Sequence, residues 1–235
     1  MAFEMALHEN YLQALAEKYV TDGVVLGVGT GAQSGKLVRL ISFIAGEKNI
    51  GVKIVPTSLE IAGVAHSFDL GLANLNDEEV DVAFEFADRA DKHFNYVKTD
   101  SLSLVRDKMI AQSAEQMIVI CEKEKFTENL SGMIPFEIAS FAAQRTVNQL
   151  SVYGEARLRM AGDRPYKTET GQYIAEVQVD KVYSLEELET KSKEIPGVLE
   201  TGLFLGYADM LVLHNHTVDI RHRLGKEIKF SKKKT

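Results

Sequence analysis

The sequence predicts an α/β fold: a doubly wound, mostly parallel, Rossmann-like sheet with a second, smaller α+β domain inserted. Three observations predict it. Helix-spaced and strand-like apolar patterns alternate through the first third of the chain, which is βαβ order. The strands VVLGVG and MIVIC are continuously apolar, as parallel strands buried between two helix layers are. From about Ser131 the chain turns to alternating runs joined by turn residues, the pattern of antiparallel pairs.

Taken in order, NYLQALAEKYV has the apolar spacing of a helix, GVVLGVG is a strand, KLVRLISFIAG a helix, VKIVPT a strand and LEIAGVAHSF a helix. VDVAF is the next strand and ends at Glu85. That ending places Glu85, Asp88 and Asp91 outside the carboxyl end of a strand, where ligands of such sheets sit. In the second unit EIASFAAQRTVNQL reads as a helix, followed by ARLRM and then YKTETGQYIAEVQV, in which Glu169-Thr170-Gly171 stands between two alternating runs as a hairpin turn would. SLEELETKSKE reads as a surface helix stopped by Ile195-Pro196-Gly197, and GVLETGLF and ADMLVLH resemble two more strands. The division expected is residues 1–130 with 206–235 in the Rossmann-like domain and residues 131–205 in the smaller one.

A chain of 235 residues, 45% hydrophobic, is long enough to bury its core without staples. Its single cysteine, Cys121, excludes an internal disulfide and points to a reducing compartment; with no basic cluster before it, it reads as a small buried hydrophobe. The amino terminus carries Glu4, Glu9 and Glu17 and lacks the basic region of a signal or transit peptide, and no apolar run is long enough to span a membrane, so a cytoplasmic protein is expected. A net charge of −7 disfavours nucleic acid as a partner. The basic tail KFSKKKT reads as a solvated end.

GVGTGAQSGK, Gly27 to Lys36, follows a strand and opens a helix, so its backbone N–H groups and the positive helix end are suited to a phosphate; a close strand-to-helix turn is the alternative. The second strand ends in Pro56-Thr57-Ser58 with no acid for a ribose hydroxyl, which disfavours a dinucleotide. A Walker loop would need glycine at Thr30 and Ser or Thr at Leu37. His214 and His216 share a strand face, but no Cys or third His lies near them, which argues against a metal. The acid and lysine cluster from Glu85 to Lys108 is the informative part. Moving a proton beside a carbonyl requires a carboxylate base and a cation where the enediolate oxygen gains charge; Asp107 and Lys98 are candidates for those roles, and a solvated charged helix is the alternative.

Four segments in sequence, GVGTGAQSGKLVRLI, IVPTSLEIAGVA, the Glu85 to Lys108 block and IPGVLETGLF, resemble the ribose-5-phosphate isomerase type A family over nearly the whole chain. The family's IPGVxxxGLF segment matches almost letter for letter. The resemblance implies metal-free and cofactor-free interconversion of ribose 5-phosphate and ribulose 5-phosphate through an enediolate, as in the pentose phosphate pathway. It implies Asp107, at the glutamate of the family's REK, as general base; Lys98, at the lysine of KGGG, as the cation; and Glu85 and Asp88, at the carboxylates of DGADE, as handlers of hydroxyl protons and ring opening. Thr30, Gly31, Ala32, Gln33 and Lys125 take the phosphate positions. The chain departs from the family pattern at Phe86, Arg89, Thr99-Asp100-Ser101 and Ala32-Gln33. Those departures motivate the alternative of a divergent, non-catalytic paralogue that binds a sugar phosphate or another anion. The apolar stretch GVLETGLFLGYADM, read as exposed edges, and the family resemblance lead to an expected homodimer or homotetramer.

Overall fold

The computed structural model describes residues 2–31 and 33–223, with side chains from residue 10 onward. Helix α1 (Ala2–Tyr19) is broken at Asn10, whose side chain accepts from the Gln13 N–H at 3.3 Å and so caps the second half. After it come β1 (Val24–Val28), α2 (Ser34–Lys48), β2 (Val52–Pro56), α3 (Leu59–Ser67), β3 (Gly71–Leu72) and β4 (Val80–Ala87), which runs two residues past Glu85. The short strands β5 (Arg89–Ala90) and β6 (Tyr96–Val97) lead to α4 (Leu104–Ser113) and β7 (Ala114–Glu122). Next are β8 (Gly132–Ile138), α5 (Ala143–Leu150), β9 (Glu155–Leu158), β10 (Met160–Ala161), β11 (Arg164–Pro165) and β12 (Tyr173–Val179). The described chain finishes with α6 (Leu185–Lys193), β13 (Val198–Thr201), β14 (Leu203–Phe204), β15 (Met210–His214) and β16 (Val218–His222).

Seven strands form the main sheet in the order β16-β15-β7-β4-β1-β2-β3, with every pair parallel except β15 with β16. From β1 the chain winds outward through β2 and β3, then returns to the other side of β1 for β4, β7 and β15. The reversal opens a crevice at the carboxyl ends of β1 and β4, the switch point where ligands of doubly wound sheets bind. Helices cover both faces. Leu12, Leu15, Leu37, Ile41 and Ile61 of α1, α2 and α3 pack on Leu26, Ile54 and Phe84, while Ile110 and Ala111 of α4 pack on the opposite face with Val25, Val80 and Ala83. Burial on both sides is why these strands are apolar throughout.

A four-stranded antiparallel sheet, β13-β8-β12-β9, lies within residues 132–201 and packs Ile134, Phe136, Ile138 and Val177 against Val147 and Leu150 of α5. The three-stranded sheet β14-β6-β5 pairs Leu203 with Val97 and so ties the end of this unit to the segment leading to α4. The expected turn at Glu169-Thr170-Gly171 is present: the Gly171 N–H reaches the Thr168 carbonyl at 2.9 Å, with Gly171 at φ +84, a left-handed conformation that glycine adopts without strain. The expected surface helix is α6, capped by Ser184, whose hydroxyl accepts from the Glu187 N–H.

Two sequence expectations are corrected. The helix read over 137–150 is α5 only from Ala143, because Ile134, Phe136 and Ile138 alternate inward as β8 and Ala142 takes a left-handed φ of 53 that breaks the chain direction before the helix. The stretch GVLETGLFLGYADM is an apolar edge only in part: Val198, Leu203, Phe204, Ala208 and Met210 are buried in this chain's own core, since β13 and β14 pair with β8 and β6, and only Leu199 of the edge strand β13 is exposed among its large apolar residues. Among the described residues no helix is long and apolar enough to cross a membrane. The KFSKKKT tail lies outside the described residues.

Candidate active site

The site starts where β1 and β4 end side by side. A Cβ on Gly29 would lie 2.0 Å from Glu85 Oε1, so the absence of a side chain is what admits the Glu85 carboxylate; a Cβ on Gly31 would lie 2.7 Å from Phe86 Cβ. The Ser34 hydroxyl donates to the Gly29 carbonyl at 2.6 Å and fastens the loop to the first turn of α2. Thr30 turns inward rather than toward solvent: its hydroxyl donates to Ser58 Oγ at 3.0 Å and lies 3.3 Å from Thr57 Oγ1. Its carbonyl accepts from Lys98 Nζ at 2.7 Å. The Thr57-Ser58 pair thus serves the loop, and Ser58 also caps α3 by accepting from Ile61 N–H.

Glu85, Lys98 and Asp107 come together as a buried trio. Lys98 is fully buried, and its ammonium donates to Glu85 Oε1 and stands 3.9 Å from Asp107 Oδ2. Asp107 Oδ2 is buried and has no hydrogen-bond partner among the described residues. Burial pushes the Glu85 carboxyl up to about 8, against the opposing pull of Lys98. Burial also raises Asp107, with Lys98 and the Ser101 hydroxyl opposing and the Asp100 and Glu137 carboxylates adding to the rise. Burial alone would lower the Lys98 ammonium, but Glu85 and Asp107 outweigh it and hold it above its ordinary value. Two carboxylates share one cation in a dry site, so a proton is retained by the acids more readily than in water.

Helix α4 delivers Asp107 from its first turn. Ser103 caps it, accepting from the Arg106 N–H at 3.3 Å, and the fully buried Glu137 of β8 accepts from the Val105 N–H at 3.0 Å. On either side of Asp107, Arg106 bonds Glu169 and the Pro56 carbonyl, and Lys108 bonds Glu189 at 2.7 Å and Glu200 at 2.6 Å. The loop after Lys98 is held by Asp88, which accepts from the Thr99 N–H, and by Arg159, whose guanidinium donates to the Thr99 and Ser101 carbonyls. Arg159 and Glu137 were not legible as site residues. The Arg159 partners lie 58 and 60 residues away, beyond any spacing rule, while the signal for Glu137 is a charged residue set in the apolar run IPFEI.

Two adjoining cavities open onto this arrangement, of about 220 and 720 Å³, and share Asp88, Asp100 and Lys125. Gly31, Gln33 and Phe86 line the smaller; Arg89, Arg157 and Arg159 line the larger. Gly31, Gln33 and Lys125 of the expected phosphate positions therefore face one space, whereas Thr30 supports from behind and Ala32 lies outside the described residues. Glu85, Lys98 and Asp107 line neither cavity, and Asp100, half exposed, places Oδ1 4.0 Å from Lys98 Nζ. His214 stacks on Tyr11 with ring centroids 4.5 Å apart, and Cys121 is buried with its thiol pushed up to about 12 by that burial.

A protein-family model described as ribose 5-phosphate isomerase A (phosphoriboisomerase A) matches residues 53–217. The chain belongs to the ribose 5-phosphate isomerase A family. Its relatives include a ribose-5-phosphate isomerase A of Ruegeria sp. (strain TM1040), 31% identical over 84% of this chain and 79% of the relative. Another, from Methanoregula boonei, is 32% identical over 80% of this chain and 81% of the relative. Among solved structures, the ribose 5-phosphate isomerase A of Methanocaldococcus jannaschii is 26% identical with a TM-score of 0.84, covering 94% of this chain and 100% of that one. A D-ribose-5-phosphate isomerase in complex with phospho-erythronic acid, also 26% identical, gives a TM-score of 0.85 over 93% of this chain and 99% of that one. The family's fold is therefore the fold of this chain, and the Glu85–Lys98–Asp107 trio falls in the segment the family model covers.

Proposed function

We propose that this chain interconverts ribose 5-phosphate and ribulose 5-phosphate through an enediolate, with Asp107 as the base. The observation that carries the reading is the free Asp107 Oδ2 beside the Lys98 ammonium. Asp107 takes the proton from C2 of the open-chain aldose and returns it to C1. Lys98 spends two of its three N–H bonds on Thr30 and Glu85, which leaves one for the oxygen that gains charge. Glu85, with its carboxyl near 8, can give and take a proton at neutral pH, which suits it to ring opening and to moving hydroxyl protons together with Asp88.

Gly31, Gln33 and Lys125 receive the phosphate in the smaller cavity, at the amino end of α2. Lys98 and Asp107 lie behind the cleft wall, so the sugar reaches them when Asp100 of the 99–101 loop is drawn aside. A homodimer or homotetramer belongs to the same reading, supported by the exposed Phe141, Val152 and Tyr183 (89%, 77% and 93% exposed) more than by the 197–210 stretch, of whose large apolar side chains only Leu199 is exposed. So do a cytoplasmic location and the division into residues 1–130 with 206–235 and residues 131–205, which sheet membership supports.

Purified protein given ribose 5-phosphate should form ribulose 5-phosphate, and Asp107→Ala should abolish that turnover. Full turnover in Asp107→Ala would remove Asp107 from the role. Saturable binding of ribose 5-phosphate by a folded wild type without turnover would reject isomerisation in favour of the sugar-phosphate-binding paralogue.

A further inference from the structure

Glu137 is a carboxylate with no access to solvent, set in a strand of the small antiparallel sheet and lining neither cavity. A buried carboxylate persists only where its oxygens are hydrogen-bonded. Four donors converge on this one. The Val105 N–H reaches Oε2 at 3.0 Å and the Ser103 hydroxyl at 3.2 Å, while the Thr168 hydroxyl reaches Oε1 at 2.8 Å and Thr170 donates to the same atom. Two donors therefore come from the first turn of α4 and two from the hairpin turn of residues 168–171. The Ser103 carbonyl in turn accepts from the Asp107 N–H at 3.1 Å, so Glu137 grips the turn on which Asp107 is carried.

We infer that Glu137 is a positioning residue for the isomerase base: through Ser103 and the Val105 N–H it fixes the first turn of α4, so that Asp107 Oδ2 faces Lys98 with no other partner. The inference rests on the isomerase reading for the role of Asp107, although the placement itself does not depend on turnover. A carboxylate at the positive end of a helix is favourable for the helix, and the two threonines anchor it from the other side, so the turn is held between two units rather than by its own cap alone. Glu137 also acts on Asp107 at a distance, since its negative charge adds to the upward push that burial gives the Asp107 carboxyl. The other charged or titratable groups around Asp107 are Glu85 from β4, Tyr96, Lys98 and Asp100 from the segment before α4, and Arg106 and Lys108 on its own helix. Removal of the Glu137 charge leaves all of these in place.

The experiment compares wild type, Glu137→Gln and Thr170→Val for kcat and KM across pH, with the Asp107 carboxyl followed by 13C NMR in the full chain. Glu137→Gln should lower kcat on the order of tenfold to a hundredfold, as expected for a reacting group displaced by about 1 Å or less, with KM within about twofold. Its acidic limb of kcat/KM and its Asp107 titration should both move to lower pH, an effect that mere loosening of the fold would not produce. Thr170→Val keeps the charge and weakens the anchor, so it should lower kcat several-fold without moving the limb; it also carries the test should Glu137→Gln fail to fold. A folded Glu137→Gln protein with wild-type kcat and an unmoved Asp107 titration would overturn the inference, as would a Thr170→Val protein with wild-type kcat. Should the wild type itself lack turnover, the isomerase reading fails, and the titration alone decides the placement: movement in Glu137→Gln upholds it and none overturns it.

Discussion

At the scale of single residues, Asp107 combines burial, a neighbouring cation and an oxygen without a hydrogen bond. An unsatisfied buried polar atom costs about 1–3 kcal/mol, so the fold carries this carboxylate at the expense of stability. Asp107→Asn should therefore lower kcat on the order of 10²- to 10⁴-fold while leaving Tm equal to or above that of wild type. A fall in Tm matching the fall in activity would contradict it. Because Asp107 must be ionised to act and burial raises its carboxyl above the ordinary 3.8, kcat/KM should rise with pH along a limb that lies above 3.8; a limb at 3.8 would exclude Asp107 as the titrating base. Glu85 gives a second sign. Its carboxyl is raised from 4.5 to about 8 on folding, so its stabilising contribution is full below 4.5 and is lost as pH rises through about 8. Urea unfolding between those values should show stability falling by at most about 1.4 kcal/mol per pH unit from this group, and Glu85→Gln should flatten the slope. A wild-type slope of opposite sign would reject the assignment.

At the scale of elements, the two ends that form the site depend on what a glycine leaves empty. Gly29→Ala puts a Cβ 2.0 Å from Glu85 Oε1, so the Glu85 carboxylate must move from the place where it bonds Lys98. Overpacking of this kind costs about 1–3 kcal/mol. Gly35→Ala, in the first turn of α2, meets nothing within 4 Å and should be neutral or stabilising by about 0.4–1 kcal/mol through the unfolded chain. Measured side by side, Gly29→Ala should lose both Tm and turnover and Gly35→Ala neither; equal behaviour would mean that the close approach does not govern the site. The elements legible in the sequence were those with long or uniform patterns: β1, α2 and β7, and hence the switch point where Glu85 falls. The segment 137–150 was misread because helix formers follow IPFEI directly, and only the pairing of β8 with β12 and β13 identifies its first residues as strand. The trio was legible as residue types, while its supports were not, since Glu137 with Ser103 and Arg159 with the 99–101 loop join positions far apart in sequence.

At the scale of the whole molecule, the first half of α4 is clamped to the small unit. Glu169 in the 168–171 turn accepts from the Leu59 N–H at 2.8 Å and binds Arg106, so one carboxylate secures the start of α3 and the helix that carries Asp107. At the next position Lys108 enters a pocket made by Glu189 of α6 and Glu200 of β13, and also donates to Thr201 Oγ1 at 3.2 Å. Burial would raise the Glu200 carboxyl, but Lys108 outweighs it and holds it below the ordinary 4.5, so this clamp stabilises above that value and loosens as pH falls through the lowered one. Removal of one partner of a buried ion pair costs about 3–5 kcal/mol where it strands the other charges. Lys193 stands 3.0 Å from Glu200 and 3.5 Å from Glu189 and keeps one cation beside them, so the loss of Lys108 costs at most that much. For a chain of this size, 1 kcal/mol moves Tm by about 2–4 °C. Lys108→Met, which keeps the length and apolar stem of the side chain, should thus lower Tm by up to about 20 °C at pH 7, and Lys108→Met combined with Glu189→Gln and Glu200→Gln should regain much of that loss. A triple variant no more stable than Lys108→Met alone would show that packing of the lysine stem, rather than the balance of two carboxylates against two cations, holds α4 to the small unit.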